Sequence, residues 1–334
     1  RRSRVGRFTK ILGRHGTVIE TPSVDSIIPA LRTFADEGRR YWVADGGDGA
    51  LHWMLNEAVR YFGLARAKDI AVYMPTGGGT IDFVARVLGM KDPPEALVTR
   101  LVQCVAEKRE PEIVDVPTLV LTGHQVEYGD EVTPFRRVGF GCALAGYGAN
   151  FFGPLYRGNK EYGGPRIAKL LAAAFSAAAL RGVLQGPLES LKPERMKSAE
   201  RDFLRQLRAV VRIDGTLLRG EDGEPVRSHT VLHCASVPIN LAEILRVFPA
   251  AGDGKMHIHA GHVSAAEMAR IFPGLMTGRS VHHLLHDAYD GPGTTLDVQC
   301  DAGEELTPVI DGEIFHRINE LHVAMGPRLR MAVP

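Results

Sequence analysis

The sequence predicts an α/β N-terminal domain with a parallel sheet, followed by a mainly antiparallel β-sandwich domain with a helical insertion. Three observations support this fold class. Short apolar runs alternate with amphipathic helical stripes up to about residue 110, which is typical of a parallel sheet. Short β-like runs separated by glycine turns then indicate an antiparallel sandwich or barrel. A basic helical stretch at about 151–208 interrupts this second pattern.

The first predicted elements lead into a core stretch, Tyr41 to Met90. Gly16 to Glu20 is predicted as a strand. Ser23 is predicted to cap the next helix, whose apolar stripe ends at Gly38.

The core stretch consists of two units, each made of a strand, a glycine turn and a helix. The first has a strand at Tyr41–Ala44 and a turn at Asp45–Gly49, and the second has a strand at Ile70–Met74 and a turn at Pro75–Thr80. In a parallel sheet, ligands bind at the carboxyl ends of the strands, where free helix amides suit phosphate. Asp48 could also hold Mg²⁺ against a polyphosphate. One glycine turn is more often a plain tight turn, but the pair predicts a nucleotide site.

Four motifs resemble the diacylglycerol kinase catalytic-domain family, which is shared by diacylglycerol, ceramide and sphingosine kinases. Gly46-Gly47-Asp48-Gly49 is similar to its GGDGT nucleotide motif, and Gly78-Gly79-Thr80-Ile81-Asp82 is similar to its second glycine loop. Asp253-Gly254-Lys255-Met256 resembles its late DGxL element, and Asp311-Gly312-Glu313 resembles its DGE near the C-terminus. The motifs keep the family's order and span most of the chain.

This resemblance implies a bacterial-type lipid kinase with ATP and Mg²⁺ as cofactors. The implied nucleotide-binding residues are those of the two glycine loops: Gly46, Gly47, Asp48, Gly49, Gly78, Gly79, Thr80 and Asp82. The implied metal ligands are Asp48, Asp253 and Glu313, and the implied catalytic residues are Asp48, Asp311 and Glu313. Which carboxylate takes the proton of the acceptor hydroxyl stays open.

The expected reaction transfers the γ-phosphoryl group of ATP to a hydroxyl of a diacylglycerol-like or sphingoid lipid. One alternative is a soluble kinase of the related NAD kinase type, which shares a GGDG turn. Another is a nucleotide-binding regulatory protein without turnover. The regulatory alternative rests on Ala50, which replaces the family's usual threonine, and on Asp82, which replaces its usual asparagine.

We place the nucleotide-binding domain at residues 1–118 and the lipid-substrate domain at 119–334, with the insertion at about 151–208. A cleft between the domains is the expected active site. The family's opening strand near Asn-Pro has no counterpart, so the chain is expected to begin just after it. The β-like runs of the second domain are predicted at Val114–Val116, Thr118–Thr122, Arg137–Phe140, Ala209–Ile213, Thr230–Ala235, Met256–Ala260, Thr294–Cys300 and Leu306–Ile310.

The insertion combines a basic surface with an apolar helical stripe that begins after Pro165. Such a region could lie on an anionic membrane, where a lipid kinase meets its substrate. A helix packed on the sheet with a solvated face explains the pattern equally well. The expected partner is therefore a lipid substrate at a membrane surface, which the protein would contact peripherally. A homodimer with a second copy of the chain is a further expectation.

The composition sets limits on the function. The chain has 334 residues, of which 45% are hydrophobic and 24% charged, as in ordinary soluble globular proteins. A net charge of +1 argues against a nucleic-acid binder. The four cysteines form no Cys-x-x-Cys pair, which fits reduced thiols in the cytosol. The longest apolar run, Leu170 to Leu180, is too short to span a bilayer, so a cytoplasmic location is predicted.

Several residues that could carry chemistry also have simpler explanations. Asp-Gly is a common hairpin turn and occurs at Asp214, Asp222, Asp253, Asp290 and Asp311, so most of these are predicted to be turns. His257-x-His259 places two imidazoles on one strand face, as a metal site requires. We favour a strand with one polar face, which explains the same spacing. Ser264 to Glu267 is predicted as a helix capping box.

Overall fold

The computed structural model describes residues 2–79, 81–127, 131–150, 205–241 and 245–334. The chain divides into two compact units. The first comprises Arg1–Thr118 with Pro327–Pro334, and the second comprises Leu119–Gly326. Most of the predicted insertion lies outside the described residues, so its helix and its basic face stay predictions. Its end is described, and there a strand already begins at Leu207.

Helices and a short parallel sheet make up the first unit. The helices are α1 (Arg2–Leu12), α2 (Ile27–Asp36), α3 (Asp48–Phe62), α4 (Leu64–Ile70), α5 (Phe83–Val87) and α6 (Pro94–Ala106), and the strands are β1 (Tyr41–Ala44) and β2 (Val72–Pro75). The predicted strand at Gly16 to Glu20 is wrong, because this segment has no regular structure. Its only β-branched apolar residues, Val18 and Ile19, are half-buried and anchor no sheet.

The strands β1 and β2 run parallel, with Ala44 opposite Pro75. A third strand, which contains Met331, pairs in parallel with β2, and Met331 lies opposite Tyr73. Trp42 and Tyr73 are fully buried, and their rings meet edge to face with centroids 6.0 Å apart. The short strands are therefore held in a large aromatic core, and they end side by side.

The second unit contains antiparallel sheets. One includes β3 (Glu112–Val126), β4 (Val132–Gly139), β6 (Leu207–Ile213), β7 (Thr216–Leu217), β8 (Ser228–His229), β14 (Thr295–Cys300) and β17 (Ile318–Val333). The other has the order β13 (Asp287–Gly293), β12 (Met256–His262), β9 (Val231–Ala235), β5 (Gly141–Ala145), β15 (Val309–Ile310) and β16 (Glu313–Ile314). A separate hairpin joins β10 (Ile239–Leu241) to β11 (Leu245–Val247). The predicted change from parallel to antiparallel pairing is thus observed.

Several observed strands have no counterpart among the predicted β-like runs, and two of them are β13 and β17. Strand β13 contains Asp290-Gly291-Pro292-Gly293, which we expected to form a turn. It is an edge strand of its sheet, and an edge tolerates proline because one side of the strand needs no hydrogen-bond donors. The long β17 contains Gly326-Pro327, and it continues from the second unit into the first.

One helix packs on the second unit. Helix α7 (Ala265–Thr277) begins at the predicted capping box, in which Ser264 Oγ accepts from the Glu267 amide at 3.2 Å and the Glu267 carboxylate accepts from the Ser264 amide at 2.8 Å. Gly278 ends it in the left-handed conformation, at φ 68°. In the described part of the chain, no helix is both long and apolar enough to cross a bilayer.

Candidate functional site

The two predicted glycine turns lie next to each other in the first unit. Because β1 and β2 are paired and parallel, the turns that follow Ala44 and Pro75 leave the sheet at the same edge. The Gly78 amide donates to the Gly46 carbonyl at 2.9 Å. A backbone hydrogen bond therefore joins one turn to the other directly.

Glycine is needed here for close backbone approach. A Cβ placed on Gly47 would lie 2.7 Å from the Gly79 Cα, and a Cβ on Gly79 would lie 2.5 Å from the Gly47 Cα. Gly47 itself has a negative φ of −84°, which any residue can adopt. Within the second turn, Gly77 has the left-handed φ of 67°. Gly47 and Gly79 therefore provide contact between the turns.

Asp48 links the first glycine turn to α5, the helix that follows the second glycine turn. It is the first residue of α3, and its side chain is buried. Its carboxylate oxygens accept hydrogen bonds from the amides of Phe83 at 3.0 Å and Val84 at 3.2 Å. These amides begin α5, where a helix has donors without intrahelical partners. Asp48 thus caps a helix that begins 35 residues later in the chain.

Asp82 closes the second turn. Its backbone is left-handed, at φ 54°, and its carboxylate accepts from the Gly79 amide at 2.8 Å. Asparagine and aspartate are the non-glycine residues that tolerate this conformation best, which explains why Asp82 fits where the family has asparagine. Burial raises the pKa of Asp82, while the Gly79 amide and the charge of Arg86 act in the opposite direction.

A basic residue from α1 lies at these turns. The Arg4 guanidinium pairs with the Asp45 carboxylate at 3.2 Å, and a Cβ on Gly78 would lie 3.0 Å from Arg4 Nη2. The buried Thr76 hydroxyl donates to the same Asp45 oxygen at 3.1 Å and accepts from the Gly46 amide at 3.3 Å. Asp45 therefore holds a cation directly beside the two glycine turns.

The remaining predicted residues of the first unit have simpler positions. Gly49 lies in the first turn of α3. A Cβ on Gly46 would come within 2.6 Å of the Ala50 Cβ, so the small residue at 50 packs against the turn. Thr80 lies outside the described residues. In the first unit the structure thus brings together the predicted residues Gly46, Gly47, Asp48, Gly49, Gly78, Gly79 and Asp82.

In the second unit, three Asp-Gly pairs form the same kind of turn. Asp214, Asp253 and Asp311 have φ values of 49°, 49° and 50°, and each is followed by a glycine with positive φ. Two consecutive positive φ values are typical of type I′ hairpin turns, which favour Asp-Gly. Backbone geometry alone does not distinguish the predicted site residues Asp253 and Asp311 from Asp214.

The side chains of these turns do differ. Asp311 is buried, and its Oδ1 accepts from the amides of Phe140 at 2.9 Å and Gly141 at 3.0 Å, so it ties the β15–β16 turn to the connection between β4 and β5. Asp253 is exposed and makes no side-chain hydrogen bond within the described ranges. Glu313 is half-buried and pairs with Ile310 across the turn. Asp253 and Glu313 are therefore better placed than Asp311 to meet a ligand.

A buried carboxylate, Asp290, was missed by the sequence analysis, which took it for a turn residue. Its Oδ1 accepts from His257 Nε2 at 2.7 Å and lies 3.3 Å from His259 Nδ1. Its Oδ2 accepts from the Ser280 hydroxyl at 3.1 Å and the Val281 amide at 2.9 Å. Burial raises the pKa of Asp290, but the His257 hydrogen bond and the neighbouring His259 outweigh it, so the net shift is downward.

His257, His259 and Asp290 offer three metal-ligating atoms within 4.8 Å of one another. The hydrogen bonds of His257 argue against a metal centre. Its Nδ1 accepts from the Ala250 amide at 2.9 Å, so a neutral ring must carry its proton on Nε2, the nitrogen that faces Asp290. A metal at Nε2 would require an imidazolate or the loss of the Ala250 bond. The group is better explained as a hydrogen-bonded network.

Three histidines of the second unit are held neutral by their surroundings, and we call them the buried histidines. Burial lowers the pKa of His229 to about 4 and that of His233 to about 4. Burial also lowers the pKa of His259 to about 3, although the charge of Asp290 opposes this shift. Each of the three is therefore expected to be neutral near neutral pH.

The fold of this chain resembles that of solved structures described as diacylglycerol kinases. One solved structure, described as a "putative diacylglycerol kinase" from Bacillus anthracis, matches with a TM-score of 0.59 at 12% sequence identity, over 100% of this chain and 92% of that chain. A second, described as a diacylglycerol kinase from the same organism, matches with a TM-score of 0.54 at 12% identity, over 100% and 91%. Identity this low establishes a shared fold. No family model matches the sequence, and no curated protein matches it.

Proposed function

We propose that the protein is an ATP-dependent lipid kinase, which transfers the γ-phosphoryl group of ATP to a hydroxyl of a diacylglycerol-like or sphingoid lipid. The observation that carries this proposal is the direct contact between two glycine turns at one sheet edge, with Arg4 beside them. Phosphoryl transfer depends mainly on positioning and charge neutralisation, and this arrangement supplies both.

Each residue of the first unit has a separate role in this proposal. Gly78 and Gly79 are exposed and have no side chain of their own, so a phosphate could approach their backbone. Arg4 would exchange its exposed partner, Asp45, for a phosphate oxygen, which binds guanidinium strongly. Asp48 would act first by fixing the start of α5, because both of its oxygens already accept amide hydrogen bonds.

The donor atoms fit Mg²⁺, which prefers carboxylate oxygens and water. Asp48 lies within the turns, and the exposed Asp253 has a carboxylate free of hydrogen bonds in the described part of the chain. When bound, Mg²⁺ would neutralise phosphate charge. We propose Asp48, Asp253 and Glu313 as the residues that hold it, directly or through water.

The acceptor hydroxyl must lose a proton during the reaction, and we propose Glu313 as the base. It is half-buried on β16, so its carboxylate can approach a substrate. Asp311 supports it, since its buried carboxylate fixes the turn from which β16 begins.

The acceptor places the enzyme at a lipid surface, and we propose the basic segment at about 151–208 as the membrane contact. Vesicle activity should then rise with anionic lipid and fall with salt. Reversing Arg166, Lys169 and Arg181 to Glu should weaken that dependence while leaving turnover of a short-chain acceptor intact. Equal losses on both acceptors would contradict the membrane role.

The deciding experiment measures ATP turnover with diacylglycerol, ceramide, sphingosine or NAD as the acceptor. Turnover with a lipid supports the proposal, and turnover with NAD would replace it with an NAD kinase-type activity. Nucleotide binding without turnover on any acceptor would favour a regulatory protein.

Two arginines of α1 provide a matched pair of variants. Arg4→Gln should raise the KM for ATP about tenfold or more, because it removes a cation beside the phosphates. Arg7→Gln should leave that KM near wild type, since Arg7 pairs with Glu95 on the surface of the same unit. Equal effects of the two changes would show that only the net charge of α1 matters.

A further inference from the structure

A polar network in the second unit has no part in the reaction described so far, although it ends at the turn that carries Asp253. The network consists of Ala250, His257, Asp290, Ser280 and Val281. Of its side chains, those of His257 and Asp290 are almost completely buried. Buried polar groups that satisfy one another rigidify the segments that contribute them.

We propose that His257 is a positioning residue for the Asp253 turn, and this inference rests on the proposed metal-binding role of Asp253. The turn is closed at its tip by two hydrogen bonds between Gly252 and Lys255, each 2.9 Å long. Those bonds form the turn but do not fix its direction. The Ala250 amide, donating to His257 Nδ1 at 2.9 Å, ties the base of the turn to strand β12.

His257 can hold this loop only if its own ring is fixed. Nε2 of the ring donates to Asp290 Oδ1 at 2.7 Å, and His259 stacks on the ring with centroids 4.6 Å apart and planes 9° from parallel. Asp290 is in turn held by the Ser280 hydroxyl and the Val281 amide. Three segments of the second unit, namely β12, β13 and the stretch at 280–281, therefore determine where one histidine nitrogen points.

The backbone before the turn supports the same conclusion. Phe248 has a left-handed φ of 61°, which is rare for a bulky aromatic residue. Its side chain is buried, with its ring 5.0 Å from the His259 ring and 5.9 Å from the His257 ring. Strained conformations persist where the surroundings over-determine them, and such sites are often functional. The loop thus enters the Asp253 turn from a conformation that the histidine pair maintains.

Two substitutions of His257 separate its two hydrogen bonds. An asparagine can place its oxygen near the position of Nδ1 and keep the Ala250 bond, whereas a glutamine reaches the position of Nε2 and keeps the Asp290 bond. If His257 positions the turn through Ala250, His257→Gln should accelerate amide exchange across residues 250–255 about tenfold or more. His257→Asn keeps the Ala250 bond but loses the Asp290 bond that fixes the side chain, so it should accelerate that exchange less than His257→Gln does.

Enzyme kinetics give an independent readout. In His257→Gln, the Mg²⁺ concentration for half-maximal turnover should rise about tenfold, while kcat at saturating Mg²⁺ changes less than twofold. Adding the same change to Asp253→Asn should have no further effect, since the positioned group is already lost. A merely structural role would lower the folded fraction without moving the Mg²⁺ dependence.

Three further variants keep the test decisive. Ala250→Pro removes the amide donor while leaving His257 and Asp290 intact, and it should reproduce the effect of His257→Gln even if the latter folds poorly. His322 forms an exposed pair with Asp297 at 2.6 Å in the same unit, so the matching changes of His322 to Gln and Asn should alter neither readout.

The failure of this inference can be told apart from the failure of the proposed function. Wild-type protein without any Mg²⁺-dependent turnover would contradict the proposed kinase, and the exchange experiment would still decide whether His257 fixes the turn. Equal exchange across residues 250–255 in His257→Gln, His257→Asn and the wild type would overturn the positioning role. Faster exchange in the Asn variant than in the Gln variant would also overturn it.

Discussion

Placing a methyl group between the two glycine turns should separate them. In Gly79→Ala the new Cβ would lie 2.5 Å from the Gly47 Cα and 2.8 Å from Asp82 Oδ1. Ordinary contacts of a Cβ begin near 3.4 Å. One turn must therefore move by about 1 Å, and overpacking of this kind costs about 1–3 kcal/mol of folding free energy.

The loss of function per folded molecule should come in addition to the loss of stability. A displacement of about 1 Å at a site that positions reacting groups lowers turnover on the order of 100-fold. The free energy of unfolding is measured by chemical denaturation, and ATP affinity by calorimetry on the fraction that is folded. Gly47→Ala, which meets the Gly79 Cα at 2.7 Å, should behave in the same way. Because both methyl groups act on one contact, the double variant should lose less than the sum.

A matched glycine gives the opposite expectation. Gly6 lies inside α1, and a Cβ there meets no heavy atom within 4 Å. Gly6→Ala should therefore stabilise the protein by about 0.5–1 kcal/mol and leave ATP affinity unchanged. If Gly47→Ala and Gly79→Ala both unfold like the wild type and bind ATP with wild-type affinity, the turns do not form the contact that the nucleotide site requires.

Three further results are expected. Asp48→Asn should cost about 1–3 kcal/mol of stability, because the new amide group turns a donor toward the Phe83 or Val84 amide; denaturation curves at wild-type stability would contradict this. Asp311→Asn should lower the stability less, because one oxygen accepts both amide hydrogen bonds and asparagine keeps that oxygen. A stability loss equal to that of Asp48→Asn would argue against this hydrogen-bond geometry at Asp311. The buried histidines have folded pKa values below the unfolded value of about 6.5. Because the unfolded chain therefore binds more protons, the free energy of unfolding falls as the pH drops from 6.5 toward 4. The three histidines together should lower it by about 4 kcal/mol at pH 5.5. Unfolding curves recorded from pH 7.5 to 5.5 measure this loss, and replacing His229 with glutamine should remove about a third of it.

The part of the fold that periodicity could predict is the core stretch. Its strands are bounded by glycine turns and its helix α3 carries an apolar stripe, so the local pattern and the tertiary structure agree. The capping box of α7 was predictable for a similar reason, since Ser264 and Glu267 are only three residues apart. Local rules succeed where the interacting groups are close in sequence.

Other features depend on contacts that no local pattern contains. Asp48 accepts from amides 35 and 36 residues away, so its capping role could not be read from the GGDG motif. The pairing of Arg4 with Asp45 requires α1 to lie against the turns, and no local pattern predicts that contact. Asp290 looked like a turn residue because Gly-Pro-Gly follows it, yet its strand lies at a sheet edge where proline is tolerated.

The path of β17 has a consequence for how the protein is made. Residues Pro327–Pro334 belong to the first unit, where Met331 pairs with Tyr73 and the Arg330 guanidinium donates to the Asp69 carbonyl at 3.0 Å. The other residues of that unit, which end at Thr118, are synthesised more than 200 residues before Pro327. One contact illustrates this separation: Arg100 donates to the Pro334 carbonyl, which is 234 residues later in the chain. In the nascent chain, one side of β2 therefore stays unpaired until the whole second unit has been synthesised. Such an open strand edge is a site for mispairing and for chaperone binding, so conditions that slow elongation through the second unit should increase aggregation of the newly made chain.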